Sequence, residues 1–193
     1  MVSHDGLASR RALLTAAAGA GAAALAGCAS ATTATIPTPE QAVKTLSSAT
    51  MEADVEMLTA ALVLERRTVA AYIAGIPLLP RPQAKAAEKF LSEELEHTGE
   101  LISLIKDAGG MPQPRPNSFD LGHPTDAVQV VALLHQLETM QIAGYLRMIP
   151  RLSPGPVRAA VATILTVDSQ HVSMLRLVQG QNPVPAAFVT GSE

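Results

Sequence analysis

The sequence predicts an all-α fold: a four-helix bundle of two antiparallel hairpins joined by one long crossover. Three observations point there. Alanine and leucine dominate the apolar residues, only 3% of residues are aromatic and tryptophan is absent, which suits helices packed through small side chains better than a β-sandwich. Four segments carry apolar residues at steps of three and four, the repeat of a helix that buries one face. Prolines cluster in the breaks between those segments.

The first helix is expected over residues 51–74, where Leu58, Leu62, Glu65, Val69 and Tyr72 step by 4, 3, 4 and 3. Glu65 therefore stands in the middle of an apolar stripe. Thr38 as an N-cap and Pro39 at the first helical position allow a short helix over residues 39–46 before it. After the break Ile76-Pro77-Leu78-Leu79-Pro80, the residues Ala87, Leu91, Glu94, His97, Leu101, Leu104 and Ala108 mark the second helix, ended by Gly109-Gly110. The third begins near Pro124, shows Val131, Leu134, Glu138, Gln141, Tyr145 and Met148 on one face, and stops at Pro150. For the fourth, Ser153-Pro154 is expected to supply the N-cap and the first-turn proline. Its face is Val157, Val161, Ile164, Asp168, His171, Leu175 and Val178, and Gly180 ends it.

Loop lengths set the wiring. Short breaks inside each pair make antiparallel hairpins. Between the pairs lie residues 109–123, and about fifteen residues at ~3.3 Å each can span the ~36 Å of a 24-residue helix. The second hairpin can thus start from the opposite end of the bundle.

Chemistry resides in two acid-to-histidine steps of three residues, Glu94-x-x-His97 and Asp168-x-x-His171, with Glu65 and Glu138 standing alone on the other two helices. Residues three apart on a helix project to nearly the same side, so an acid and an imidazole reach one ion. Lone glutamates on facing helices can bridge or cap two. The hairpins repeat one plan: Glu65 precedes Tyr72 by seven, Glu138 precedes Tyr145 by seven, and the chain has only 2 tyrosines. Glu65 to Glu94 is 29 residues and Glu138 to Asp168 is 30. This reads as a pseudo-twofold site. Four carboxylates in a core repel one another and resist desolvation, and two divalent cations remove both costs by neutralising about four negative charges. Mixed oxygen and nitrogen ligands suit iron or manganese; zinc also fits but brings no redox chemistry.

The remaining polar residues read more plainly. Tyr72 and Tyr145 are expected to donate hydrogen bonds to carboxylates across the bundle, with a simple core tyrosine as the alternative to redox participation. His135, one turn before Glu138, is a candidate to stand behind the ligands, with a partly exposed histidine outside the site as the alternative. Glu93, Glu96 and Glu100 read as a solvated helix face, His4 and His123 fall outside the site, and the seven methionines read as packing.

With these residues on four helices, the chain resembles the ferritin-like superfamily of di-iron and dimanganese carboxylate proteins over about residues 50–180. Within it, the chain is similar to exported bacterial ferritin-like proteins associated with desiccation or oxidative stress. The resemblance implies that Glu65 and Glu138 match the lone helix glutamates, Glu94 with His97 the first ligand pair, and Asp168 with His171 the second. One position departs: the family usually has glutamate where this chain has Asp168. The lost methylene retracts the carboxylate by ~1.5 Å, comparable to the tolerances of coordination. That puts bidentate or bridging modes there in doubt and suggests unequal affinities for the two ions. The implied activity is reaction with oxygen or peroxide, as an oxidase, ferroxidase or catalase-like enzyme. The alternatives are a metal-binding or stress-protective surface lipoprotein without turnover, and a bundle with a vestigial site acting as an interaction protein.

The first 28 residues read as an address. Ser9-Arg10-Arg11-Ala12-Leu13-Leu14 resembles a twin-arginine export signal, and Leu25-Ala26-Gly27-Cys28 resembles a lipoprotein cleavage site with Cys28, the only cysteine, as the lipidated residue. An uncleaved membrane anchor is the alternative. Either places the domain outside the cytoplasm, in the periplasm or cell envelope, tethered to the membrane. Residues 29–49 then form the tether and the short helix, 50–180 the bundle and 181–193 a tail, in which Phe188 and Val189 are candidates to pack back on the bundle. A formal net charge of -3, with no Lys/Arg block beyond the N-terminus, makes nucleic acid an unexpected partner.

Overall fold

The computed structural model describes residues 47–193. The expected leader with Arg10, Arg11 and Cys28, the tether and the helix over residues 39–46 lie outside the described residues. Among the described residues there are four α-helices and no strand: α1 (Ser48–Gly75), α2 (Arg81–Asp107), α3 (Ala127–Met148) and α4 (Pro156–Val178), with a 3-10 turn (Ile76–Leu78) between α1 and α2. The fold is the all-α four-helix bundle that the periodicity predicts. None of these helices is long and apolar enough to cross a membrane.

Local chemistry explains most helix ends. Ser47 caps α1 by accepting from the Thr50 N–H at 3.2 Å, and Asp126 caps α3 by accepting from the Gln129 N–H at 2.9 Å. Gly109, at φ 81°, ends α2, and the Gly110 N–H returns to the Ile105 carbonyl at 2.8 Å. The start of α4 corrects the sequence reading. Gly155, at φ 96°, precedes the helix, and Pro156 rather than Pro154 occupies the first turn. Ser153 is no cap here; its backbone N–H donates to the buried Asp54 carboxylate at 3.0 Å, which ties the α3–α4 turn to α1.

Helix α1 packs on α2 and α3, α3 on α4, and α2 on α4. The apolar core forms two layers. One contains Leu58, Leu62, Leu101, Ile105, Val161 and Ile164; the other contains Tyr72, Ala87, Val131, Leu134, Leu137 and Leu175. Along α1 and α3 the layers sit on either side of Glu65 and Glu138, so the acidic positions occupy the middle of the core. The crossover is strapped to α1: Arg66 donates to the Gln113 carbonyl at 2.6 Å and Arg67 to that of Asp120 at 3.0 Å.

Two expectations fail at the periphery. Val178, placed on the core face by its spacing, is exposed because it is the last residue of α4. Phe188 is 82% exposed; the tail instead meets α3 through Gly191, where a Cβ would fall 2.5 Å from Ala143.

Helices α1 and α3 also approach closely at Gly75, where an added Cβ would lie 2.6 Å from Val130 Cγ1. Val130 is fully buried and its branched side chain has little room to turn. Gly75→Ala is expected to destabilise the fold by about 1–3 kcal/mol through overpacking, readable as a lower urea midpoint at unchanged slope.

Candidate metal centre

The helical repeat carries all six acid and histidine positions into one buried layer. Glu65, Glu94, Glu138 and Asp168 are each 0% exposed, His171 is 1% and His97 is 8%. One ligand atom from each of Glu94, Glu138, Asp168 and His171 lies within 4.8 Å of the others, and the same holds for Glu65, His97 and Asp168. The acid–histidine steps exchange partners across the hairpins. His97 Nδ1 is 3.3 Å from Asp168 Oδ1, and His171 Nδ1 is 3.3 Å from Glu94 Oε1.

The lone glutamates take the outer places, Glu65 at 4.0 Å from His97 and Glu138 at 3.2 Å from His171. Glu94 reaches both imidazoles, at 3.5 Å and 3.3 Å, and Asp168 belongs to both groups. Glu65 and Glu138 thus stand at the ends of the cluster and would hold an ion from there. Tyrosines supply the reason. The Tyr72 hydroxyl donates to Glu138 Oε1 at 2.6 Å, and Tyr145 donates to Glu65, so each lone glutamate is held from the opposite hairpin.

Many of these atoms approach one another without bonding. Glu65 Oε2, Glu94 Oε1, His97 Nδ1, Glu138 Oε2 and both Asp168 oxygens are buried with no hydrogen-bond partner. Leaving so many buried acceptors unsatisfied is costly. The donor set, four carboxylates and two imidazoles aimed at common points, fits a pair of divalent cations.

Without cations, charge in this layer is balanced by protons. Burial, then the charges of Glu94 and Asp168, push the Glu65 carboxyl well above the usual range. Burial and Glu94 raise Glu138 to about 8, and burial raises Asp168 to about 6. Burial also pushes Glu94 up, but the imidazoles of His171 and His97 close to it, with the hydrogen bond from Gln141, outweigh that and hold the carboxyl below its ordinary value. Burial alone would lower the imidazoles; Asp168 and Glu94 instead raise His97 to about 9, and Glu138 and Glu94 raise His171 to about 11. Both phenols are pushed up by burial and by the carboxylates they face, so they remain donors.

Residues 79–181 match the ferritin-like domain family, more than half of the 193-residue chain. The chain belongs to this family. It is similar in structure to a conserved hypothetical protein, rv2844, from Mycobacterium tuberculosis, with TM-score 0.65, 20% identity, and coverage of 74% of this chain and 99% of that one. It is also similar to ferritin-like, diiron-carboxylate proteins from Bacillus anthracis str. Ames, with TM-score 0.59, 18% identity, and coverage of 66% and 96%. At such identities the likeness is one of fold. No curated protein matches the sequence.

This ferritin-like domain also supports its ligands in ways the spacing did not reveal. Glu93, read as part of a solvated face, accepts from Lys89 and lies 3.0 Å from His171 Nε2. Phe90 stacks on the same imidazole at 4.1 Å. Position 167, which corresponds to Glu93 in the second hairpin, is valine. Gln141 donates to Glu94 Oε2 at 3.0 Å and accepts from Thr68 at 2.9 Å, a buried chain linking α1, α3 and α2. His135 stays half-buried and outside both ligand groups. Since a carboxylate behind a ligating imidazole fixes its tautomer and orientation, Glu93→Ala is expected to weaken metal binding 10- to 100-fold. Competition against a chromogenic chelator measures this, with unchanged melting of the metal-free protein as the control.

Proposed function

We propose that this protein is an exported, lipid-anchored enzyme whose centre holds two iron or manganese ions and reacts with oxygen or peroxide. The observation that carries the metal reading is the set of unsatisfied buried oxygens and imidazole nitrogen converging from four helices. Four carboxylates match the charge of two divalent ions, and when bound such ions supply the one-electron changes that these side chains lack. The protein supplies the rest. Glu65, Glu94, His97, Glu138, Asp168 and His171 would hold the ions, and the Tyr72 and Tyr145 hydroxyls orient Glu138 and Glu65 by donating hydrogen bonds to them. Apolar layers above and below keep bulk water out. Export and anchoring rest on Arg10, Arg11 and Cys28.

The direct test is anaerobic loading with iron(II) followed by oxygen. A new ligand-to-metal charge-transfer band with two ions per chain is the expected result; neither bound metal nor band would overturn the reading. Asp168 lies 3.3 Å from His97 despite its shorter side chain. Lengthening it in Asp168→Glu is expected to narrow the difference between the two stepwise metal affinities in a calorimetric titration. Identical isotherms would sink the inequality.

A further inference from the structure

We propose that a cleft between α1 and α3, separate from the metal centre, binds an unbranched aliphatic carboxylate with a second polar group at its far end. The cleft has a volume of about 690 Å³, within the range of small-molecule sites. Its walls are aliphatic: Met57, Ala61 and Leu64 from α1 face Met140 and Met148 from α3. Methionines give such a wall an adaptable, unbranched surface suited to a flexible chain. Gly144 opens onto this space, for a Cβ built there meets no atom within 4 Å.

Polar groups mark the two ends. Arg147, in the last turn of α3, and Arg151, in the turn that follows, line the cleft, and their guanidinium groups have neither an ion pair nor a hydrogen bond among the described residues. A carboxylate is the complementary anion. Toward the other end, His135 Nε2 and the Thr139 hydroxyl line the cleft buried and without partners. The Glu193 carboxylate also lines it but is taken up by the Gly191 and Ser192 N–H groups at 2.9 and 3.0 Å. Thr139 and Arg147 are eight residues apart on α3, about 12 Å along the axis, the reach of an extended chain of about ten carbons. On its inner side the cleft is closed by Gln141 and Tyr145, the residues that hold Glu94 and Glu65.

The test is calorimetric titration of the full chain with 10-hydroxydecanoate, once metal-free and once manganese-loaded. Saturable one-to-one binding is expected in both. Gly144→Leu fills the cleft where nothing packs, and Arg147→Gln combined with Arg151→Gln removes the cationic end; each is expected to weaken binding at least tenfold without lowering the melting temperature. Thr139→Val is expected to weaken 10-hydroxydecanoate several-fold and leave decanoate unchanged. Absence of saturable binding, or affinity indifferent to Gly144→Leu and to the arginine pair, overturns the proposal. Metal content is measured on the same samples, so failure of the metal reading is seen separately from failure of the cleft.

Discussion

Loading the centre with two divalent ions near pH 7 is expected to release about four protons from the protein. His97 and His171 carry protons at that pH because their values stand at about 9 and about 11. Glu138 is protonated with a value of about 8, and Glu65 is raised well above the usual carboxylate range. Glu94 and Asp168 are the ionised pair that balances the two imidazolium groups. Ligation needs neutral imidazoles and ionised carboxylates, so all four protons leave. The sign follows: affinity rises with pH while these groups must still be deprotonated by the metal. Between roughly pH 6 and 8 the affinity for the ion pair is expected to gain about four orders of magnitude per pH unit. Below about 6 Asp168 adds a further proton, and above about 8 Glu138 no longer contributes. Titration in buffers of different ionisation enthalpy counts the protons directly; release of fewer than two would mean that the layer is not balanced by protons in this way.

The second large effect separates the metal-free fold from the loaded one. In Glu65→Gln and Glu138→Gln the substituted amide keeps the oxygen that accepts from Tyr145 or Tyr72, and it replaces a carboxyl that is already neutral in the metal-free protein. The metal-free stability should therefore fall far less than when an ionised member of the cluster is neutralised. With metal present the comparison reverses. A ligand at a hundredfold excess over its dissociation constant stabilises the native state by about 2.7 kcal/mol, and each variant is expected to lose most of that gain. Glu94→Gln serves as the contrast, because Glu94 is ionised against two imidazoles and its loss should weaken the fold even without metal. Denaturation with chelator and with manganese distinguishes the cases. Equal stabilisation by manganese in parent and Glu65→Gln would contradict the assignment of Glu65 as a ligand.

The parts of this architecture that could be read from the chain are those governed by helical period. Glu65 between Leu62 and Val69, or Asp168 between Ile164 and His171, declares itself because a charged residue on an apolar stripe must be buried when the helix is. The supports were hidden for the complementary reason. Glu93 is adjacent to a ligand and turned about 100° from it; it is half-buried only because His171 arrives from another helix. Gln141 and Thr68 lie on the core stripe, yet nothing along either helix announces that they bond to each other. Spacing within a helix also carries no information on which neighbour it faces, so the pairing of His97 with Asp168 and of His171 with Glu94 emerges only from packing. At Ser153-Pro154-Gly155-Pro156 two N-terminal signals compete, and with the Ser153 N–H donating to Asp54 across the bundle the helix starts at the later proline.

The crossed phenol–carboxyl bonds have a consequence for how the molecule can be divided. Each hairpin presents a glutamate whose hydroxyl donor belongs to the other, as in a dimer that has been written into one chain. Neither half is a complete unit, so severing the crossover would yield two peptides that have to find each other again before either could grip an ion.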